Sequence, residues 1–240
     1  MTLKNRIASL ATVSVLVAVV PPGASASPVQ RTARASPSFE CARAATRVEK
    51  TICASPALSR ADAEVATLYR QRRHELDPAA AALLTEDQRY LLAARERIFG
   101  YGDTDSTGLL RDVLAGRADF LRRVTAPSDG GLAGRWDNMT GGLTITSGAG
   151  GLFRVRINTN EPVTARWVCE IEGTGRLDGG NLDITYESDG SKVRLRRVGQ
   201  TLHVEASPPP GKASWTPGYC GLNGSVDGTY FLMKPRRGDR

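Results

Sequence analysis

Few side chains on this chain are placed to do chemistry. Its 240 residues hold two histidines, His74 and His203, and four cysteines, Cys41, Cys53, Cys169 and Cys220. His74 lies between Arg73 and Glu75 on a charged stretch, and His203 stands beside Glu205 on the outward phase of an alternating run. Both read as solvated surface residues. The cysteines are too widely spread for a close-spaced zinc cluster. No Gly-x-Ser-x-Gly elbow, Walker loop or His-Glu-x-x-His helix occurs. Nothing in the spacing selects a carboxylate pair for glycoside cleavage. These features point away from an enzyme, and no cofactor is expected.

Three weaker features remain. Asp103, Asp105 and Thr107 open a run resembling a calcium loop, with Gly108 at its sixth position. Leu114 stands where the bidentate glutamate belongs, so a polar turn between helices is the plainer role. Arg154, Arg156, Arg166, Arg194 and Arg196 alternate with apolar residues and form an outward basic set. Pairing with acidic residues such as Asp183, Glu187 and Glu170 on neighbouring strands is one reading. A patch for anionic glycan or phosphate polymers is the other. Finally, residues 207–219 carry Pro208-Pro209-Pro210-Gly211, then Lys212, Trp215 and Tyr219, with Cys220 at the base. A stiff loop bearing aromatic anchors loses little entropy on docking. Alternatively, Trp215 plugs the end of a barrel.

The elements that must position these residues change character along the chain. Residues 1–26 read as a secretory signal. Lys4 and Arg6 precede the apolar run Ile7–Val20, Pro21-Pro22 end it, and Ala24-Ser25-Ala26 supplies small residues for cleavage near Ala26. The run is shorter than a spanning helix, so no membrane anchor is expected after cleavage. Removal takes the net charge from +7 to about +5. Residues 27–38 read as a flexible leader. Export makes nucleic acid an improbable partner and makes two disulfides the simplest use of four cysteines. Three pairings are possible, and chain organisation favours Cys41–Cys53 with Cys169–Cys220.

Residues 39–124 are alanine-rich with helical periodicity. Ser55-Pro56 and Asp77-Pro78 are helix starts, and Leu58, Val65, Leu84, Leu91, Leu92, Ile98, Leu110, Leu114 and Leu121 supply apolar stripes. Residues 125–131 form a turn-rich linker. Over residues 132–235 the period becomes two, with glycine-bearing turns between about eight short runs. The fold class is α+β: a small disulfide-pinned helical bundle, then an antiparallel β meander closing as a small barrel or flattened sandwich.

The helical half resembles the LprI-type lysozyme-inhibitor N-terminal domain, a family of exported bacterial proteins. The resemblance runs through Ser38-Phe39-Glu40-Cys41-Ala42, then Thr46 to Cys53, Ser55-Pro56-Ala57-Leu58, Asp62 and Leu68-Tyr69. It continues in Gln88-Arg89, Leu91-Leu92 and Arg95. Ile98 and Leu109 stand where the family carries a second cysteine pair, and Leu91 where it prefers tryptophan. The resemblance implies an exported, non-enzymatic binding protein, periplasmic or secreted, whose partner is a lysozyme-type muramidase. Contact would come from loop 207–219, from Glu49 or from the Arg89–Arg95 helix. The alternative is a cell-envelope module that binds peptidoglycan, another anionic glycan or a small ligand in its barrel.

Overall fold

The computed structural model describes residues 36–100, 105–127, 130–212 and 215–236. The proposed signal segment and Asp103 lie outside them. Four helices, α1 (Arg47–Ala54), α2 (Pro56–Glu75), α3 (Pro78–Arg95) and α4 (Ser106–Arg123), precede eight strands. The strands are β1 (Gly134–Asn138), β2 (Gly141–Ser147), β3 (Leu152–Asn160), β4 (Val168–Asp178), β5 (Asn181–Thr185), β6 (Lys192–Val198), β7 (Thr201–Ser207) and β8 (Gly228–Leu232). Neighbours pair antiparallel in chain order, and β8 returns to β1, so the meander is a closed barrel rather than a sandwich.

Each helix start has a local cause. Thr46 and Glu49 form a reciprocal capping box on α1. Ser55 and Asp77 cap α2 and α3 with proline at the first position. Asp105 caps α4 by accepting from Gly108 N–H at 2.8 Å. Of the calcium-loop residues, Asp105 is therefore committed to a helix end. Among the described residues no group of three or more His, Cys, Asp or Glu side chains gathers as a metal site. Cys41, in a short 3-10 turn, is bridged to Cys53 near the end of α1.

Leu58, Val65, Leu84, Ile98, Leu110, Leu114 and Leu121 enter one helical core. Leu92 does not. It is 39% exposed, because α3 has a single buried face and Leu91 occupies it. That core extends to the barrel. Phe231 and Met233 belong to it, and Phe231 meets Phe120 edge-on at 6.1 Å between ring centres. Tyr230, one residue earlier, points the other way into the barrel core. The unbroken apolar run Tyr230-Phe231-Leu232-Met233 thus has a reason: both faces of the closing strand are covered.

Inside the barrel, inward residues of every strand meet. Trp136, Ile145, Ile157, Ile184, Leu195 and Tyr230 are all essentially inaccessible. Eight strands enclose a lumen that side chains fill. Trp136 Nε1–H donates to Leu132 O at 2.9 Å, and Tyr230 Oη–H donates to Val226 O at 2.7 Å, so the two large amphipathic rings stay buried with their polar atoms satisfied. Cys169, on the inward face of β4, is bridged to Cys220. Gly224 packs against this bridge, where a Cβ would lie 2.8 Å from Cys169 Sγ.

Candidate functional site

The β3–β4 connection, residues 161–167, is organised by one buried carboxylate. The Glu161 side chain is 1% exposed. Its Oε2 accepts from Val163 N–H at 3.2 Å, Thr164 N–H at 2.5 Å and Thr164 Oγ1–H at 2.6 Å. Its Oε1 accepts from Arg97 Nη2 at 2.7 Å. Burial by itself would push the Glu161 pKa up. The hydrogen bonds from Thr164, Arg97 and Val163 outweigh it and hold the group at about 2. Backbone bonds from Ala165 N–H to Glu161 O (3.1 Å) and from Glu161 N–H to Trp167 O (3.0 Å) close the loop. Ala165 is forced to φ 49°, a left-handed conformation that a Cβ disfavours. The next residue, Arg166, is exposed and has no ion-pair partner among the described residues.

Arg166 and Trp167 line a groove of about 620 Å³ at the seam between barrel and helices. From α3 it is lined by Glu86, Asp87 and Tyr90, and from the β7–β8 connection by Asp227. Asp87 joins the two sides. It accepts from Met139 N–H at 2.9 Å and from the buried Arg117 at 2.5 Å. Asp227 accepts from Ala206 N–H at 2.5 Å and Ser225 Oγ–H at 2.9 Å, both uncharged donors, so its charge is not neutralised there. Glu86 is exposed.

The residues that carry the sequence resemblance sit elsewhere and mostly turn inward. Asp62 accepts from Ser38 N–H (2.8 Å) and Ser38 Oγ–H (2.6 Å), and pairs with Arg95 at 3.5 Å, both side chains being buried. Gln88 accepts from Arg117 Nε at 2.8 Å. Glu49 accepts from the N–H groups of Ala45 (2.7 Å) and Thr46 (3.0 Å), which lower its pKa. Of the Arg89–Arg95 pair only Arg89 is exposed. Asp62, Gln88 and Arg95, scattered in sequence, thus enter a buried polar frame between the helices, while Glu49 caps α1 nearer the surface.

Residues 41–116 match the lysozyme inhibitor LprI family. No curated protein and no solved structure matches the chain. The LprI segment begins at the Cys41 bridge and ends within α4, so the barrel lies outside it. Inside the segment, Ile98 is fully buried and Leu109 packs against the same core, in the positions the resemblance assigns to a second cysteine pair.

The remaining sequence candidates lie beyond the LprI segment. In loop 207–219, Lys212 is exposed, but the aromatic pair is turned onto the barrel end. Tyr219 is buried between Tyr186 and Trp215, with ring centres at 5.2 and 5.9 Å. Trp215 Nε1–H donates to Asp189 Oδ2 at 2.9 Å. Hydrogen bonds from Ser191 and Trp215 hold the Asp189 pKa at about 2, and burial pushes the Tyr219 phenol up. The five arginines do not form one patch. Arg154 and Arg156 on β3 both reach Glu172, at 3.6 and 2.8 Å, and Arg194 on β6 pairs with Asp183 at 2.7 Å. Two strands separate β3 from β6, and Arg166 stands apart in the loop. Glu161, Arg97 and the seam groove were not evident in the sequence. Glu161 is an ordinary polar residue before a proline, and no local pattern reports a partner 64 positions away.

Proposed function

We propose that this is an exported protein that binds and inhibits a lysozyme-type muramidase, acting in the periplasm or outside the cell after loss of a leader ending near Ala26. The LprI match over residues 41–116 carries the reading. Two disulfides support an oxidising compartment. No helix among the described residues is long and apolar enough to cross a membrane. Rigid frames lose little entropy on association, and here one frame is stapled at both halves. Candidate contacts are Lys212, on a loop whose base is held by Trp215 and Tyr219, and the rim of the seam groove.

The test is a lysis-protection assay, with oxidised protein titrated against c-type lysozyme acting on bacterial cell walls. Stoichiometric protection that disappears on reduction supports the reading; full lysis at large excess rejects it. A second reading, a module that binds envelope glycan, draws on the groove itself. Tyr90 and Trp167 beside several hydrogen-bonding side chains make a surface of the mixed aromatic and polar kind used for small ligands. Because side chains fill the lumen, such a ligand would lie in the groove rather than inside the barrel. Retention on purified peptidoglycan, lost in Trp167→Ala, is its expected signature.

A further inference from the structure

We propose that Arg166 is the inhibitory contact: a guanidinium presented on a rigid loop for insertion into the carboxylate-lined cleft of a basic glycoside hydrolase. This rests on the muramidase reading above and names the side chain and the partner surface. Four observations converge on it. The loop is fixed from within by Glu161 and from the helical layer by Arg97. A non-glycine residue, Ala165, is held at φ 49° immediately before Arg166, and strain of this kind persists only where the surroundings impose it. Arg166 is exposed and has no ion-pair partner among the described residues, a state it shares with Arg196 on β6, whereas Arg154, Arg156 and Arg194 are already paired with carboxylates. Arg196 lies on a strand away from the loop and its groove. The surface around the loop is also apolar. Val168, two residues on, is 51% exposed, and Leu222 is 78% exposed. Gly221 N–H donates to Val168 O at 2.8 Å, which sets Leu222 beside the loop. Buried arginine contacts ringed by apolar side chains are the usual hot spots of interfaces.

Charge complementarity selects the partner. The groove beside Arg166 carries Glu86 and Asp227 without a cation to neutralise either among the described residues. Carboxylates lining the same groove as a projecting cation match the inverse pattern, a basic surface beside an acidic cleft. Glycoside hydrolases place two carboxyl groups in such a cleft, and a planar guanidinium can meet a carboxylate with two parallel hydrogen bonds. The protein's overall positive charge would repel a basic enzyme at long range, but salt screens it beyond about 10 Å. The local rim decides the encounter.

The experiment measures binding and inhibition of c-type lysozyme by the oxidised wild-type chain, Arg166→Ala, Arg166→Lys and Arg196→Ala, with thermal midpoints recorded for each. Removing one partner of a desolvated charge pair weakens association strongly. Arg166→Ala is expected to raise the half-inhibitory concentration by about 30-fold or more with an unchanged midpoint. Arg166→Lys should recover only part of the loss, and Arg196→Ala should match wild type. Filling the lysozyme cleft with tri-N-acetylchitotriose should abolish calorimetric binding. Inhibition by Arg166→Ala equal to wild type, or binding indifferent to the saccharide, overturns the assignment of Arg166 while leaving the muramidase reading in place. Absence of binding by the wild-type chain overturns both.

Discussion

Glu161→Gln isolates the contribution of the buried charge that organises the 161–167 loop. Glutamine keeps the shape and one acceptor oxygen, but removes the charge and turns the second oxygen into a donor facing other donors. The carboxyl pKa of about 2 against an ordinary 4.5 sets the scale. At 1.36 kcal/mol per unit this is a ceiling of about 3 kcal/mol for the charged form. Arg97 is 34% exposed, so water takes up part of its abandoned charge, and the expected loss is about 2 kcal/mol at pH 7. The sign of the pH effect follows from a lowered pKa. The stabilisation is complete above the ordinary carboxylate pKa near 4.5 and is lost as pH falls through about 2. Urea unfolding of wild type and Glu161→Gln at pH 7, 4 and 2.5 reads this directly. Asp189, Asp183 and Glu49 also have lowered pKa values and make both proteins acid-sensitive, but they cancel in the difference. The gap should narrow toward pH 2.5. A deficit below about 0.5 kcal/mol at pH 7, the size of an ordinary surface change, would refute the argument. So would a deficit that does not shrink in acid.

Gly224→Ala should lower the thermal midpoint, by about 1 to 3 kcal/mol of stability, because its Cβ would lie 2.8 Å from Cys169 Sγ and 3.0 Å from Gly221 O. Replacing Cys169 and Cys220 together by alanine should cost more than replacing Cys41 and Cys53. The chain-entropy relation gives about 4 kcal/mol for the separation of 51 and about 3 for that of 12, measured by denaturant unfolding of the two double variants. Trp215→Ala should lower the midpoint by several degrees, through loss of its contacts with Tyr219 and Asp189, while Lys212→Ala leaves it unchanged.

Much of this architecture was legible because its signals are local. Ser55-Pro56 and Asp77-Pro78 start helices through bonds that span three residues. The alternation in β3, β6 and β7 records an inside and an outside directly. The reading failed where one residue serves two layers or where the partner is distant. Leu92 followed a helical stripe but fell on the exposed side of a helix with a narrow buried face. For the five arginines the sequence offered both cross-strand pairing and a shared patch, because periodicity fixes which way a side chain points, not which strand lies next to it; Arg194 pairs with Asp183 as the first reading has it. The β3–β4 pairing set Glu172 opposite Arg156 and within reach of Arg154, and left Arg166 apart in the connecting loop. Glu161 was invisible because its importance lies in Arg97, and nothing in a polar loop sequence reports a contact across the seam.

The buried polar frame bears on where recognition can occur. Asp62, Gln88 and Arg95 are spent on Ser38, Arg117 and each other. A buried charge pair stripped of one member is costly, so such residues hold their identity for folding alone. A substitution such as Asp62→Asn would then reduce any inhibitory activity only in proportion to lost folded protein, with affinity per folded molecule unchanged. Exposed loops are under no such constraint, and the LprI-type layer grips loop 161–167 through Arg97, as it holds the β1–β2 turn through Asp87 and the β6–β7 turn through Asp77. Arg97 belongs to the matched segment and Glu161 to the barrel outside it. On this view the family-type layer acts as a clamp that sets the stance of a barrel loop. Arg97→Ala should therefore weaken inhibition without touching the partner itself. Because the effect passes through loop position, combining Arg97→Ala with Arg166→Ala should give losses that do not add, whereas additive losses would place Arg97 in an independent role.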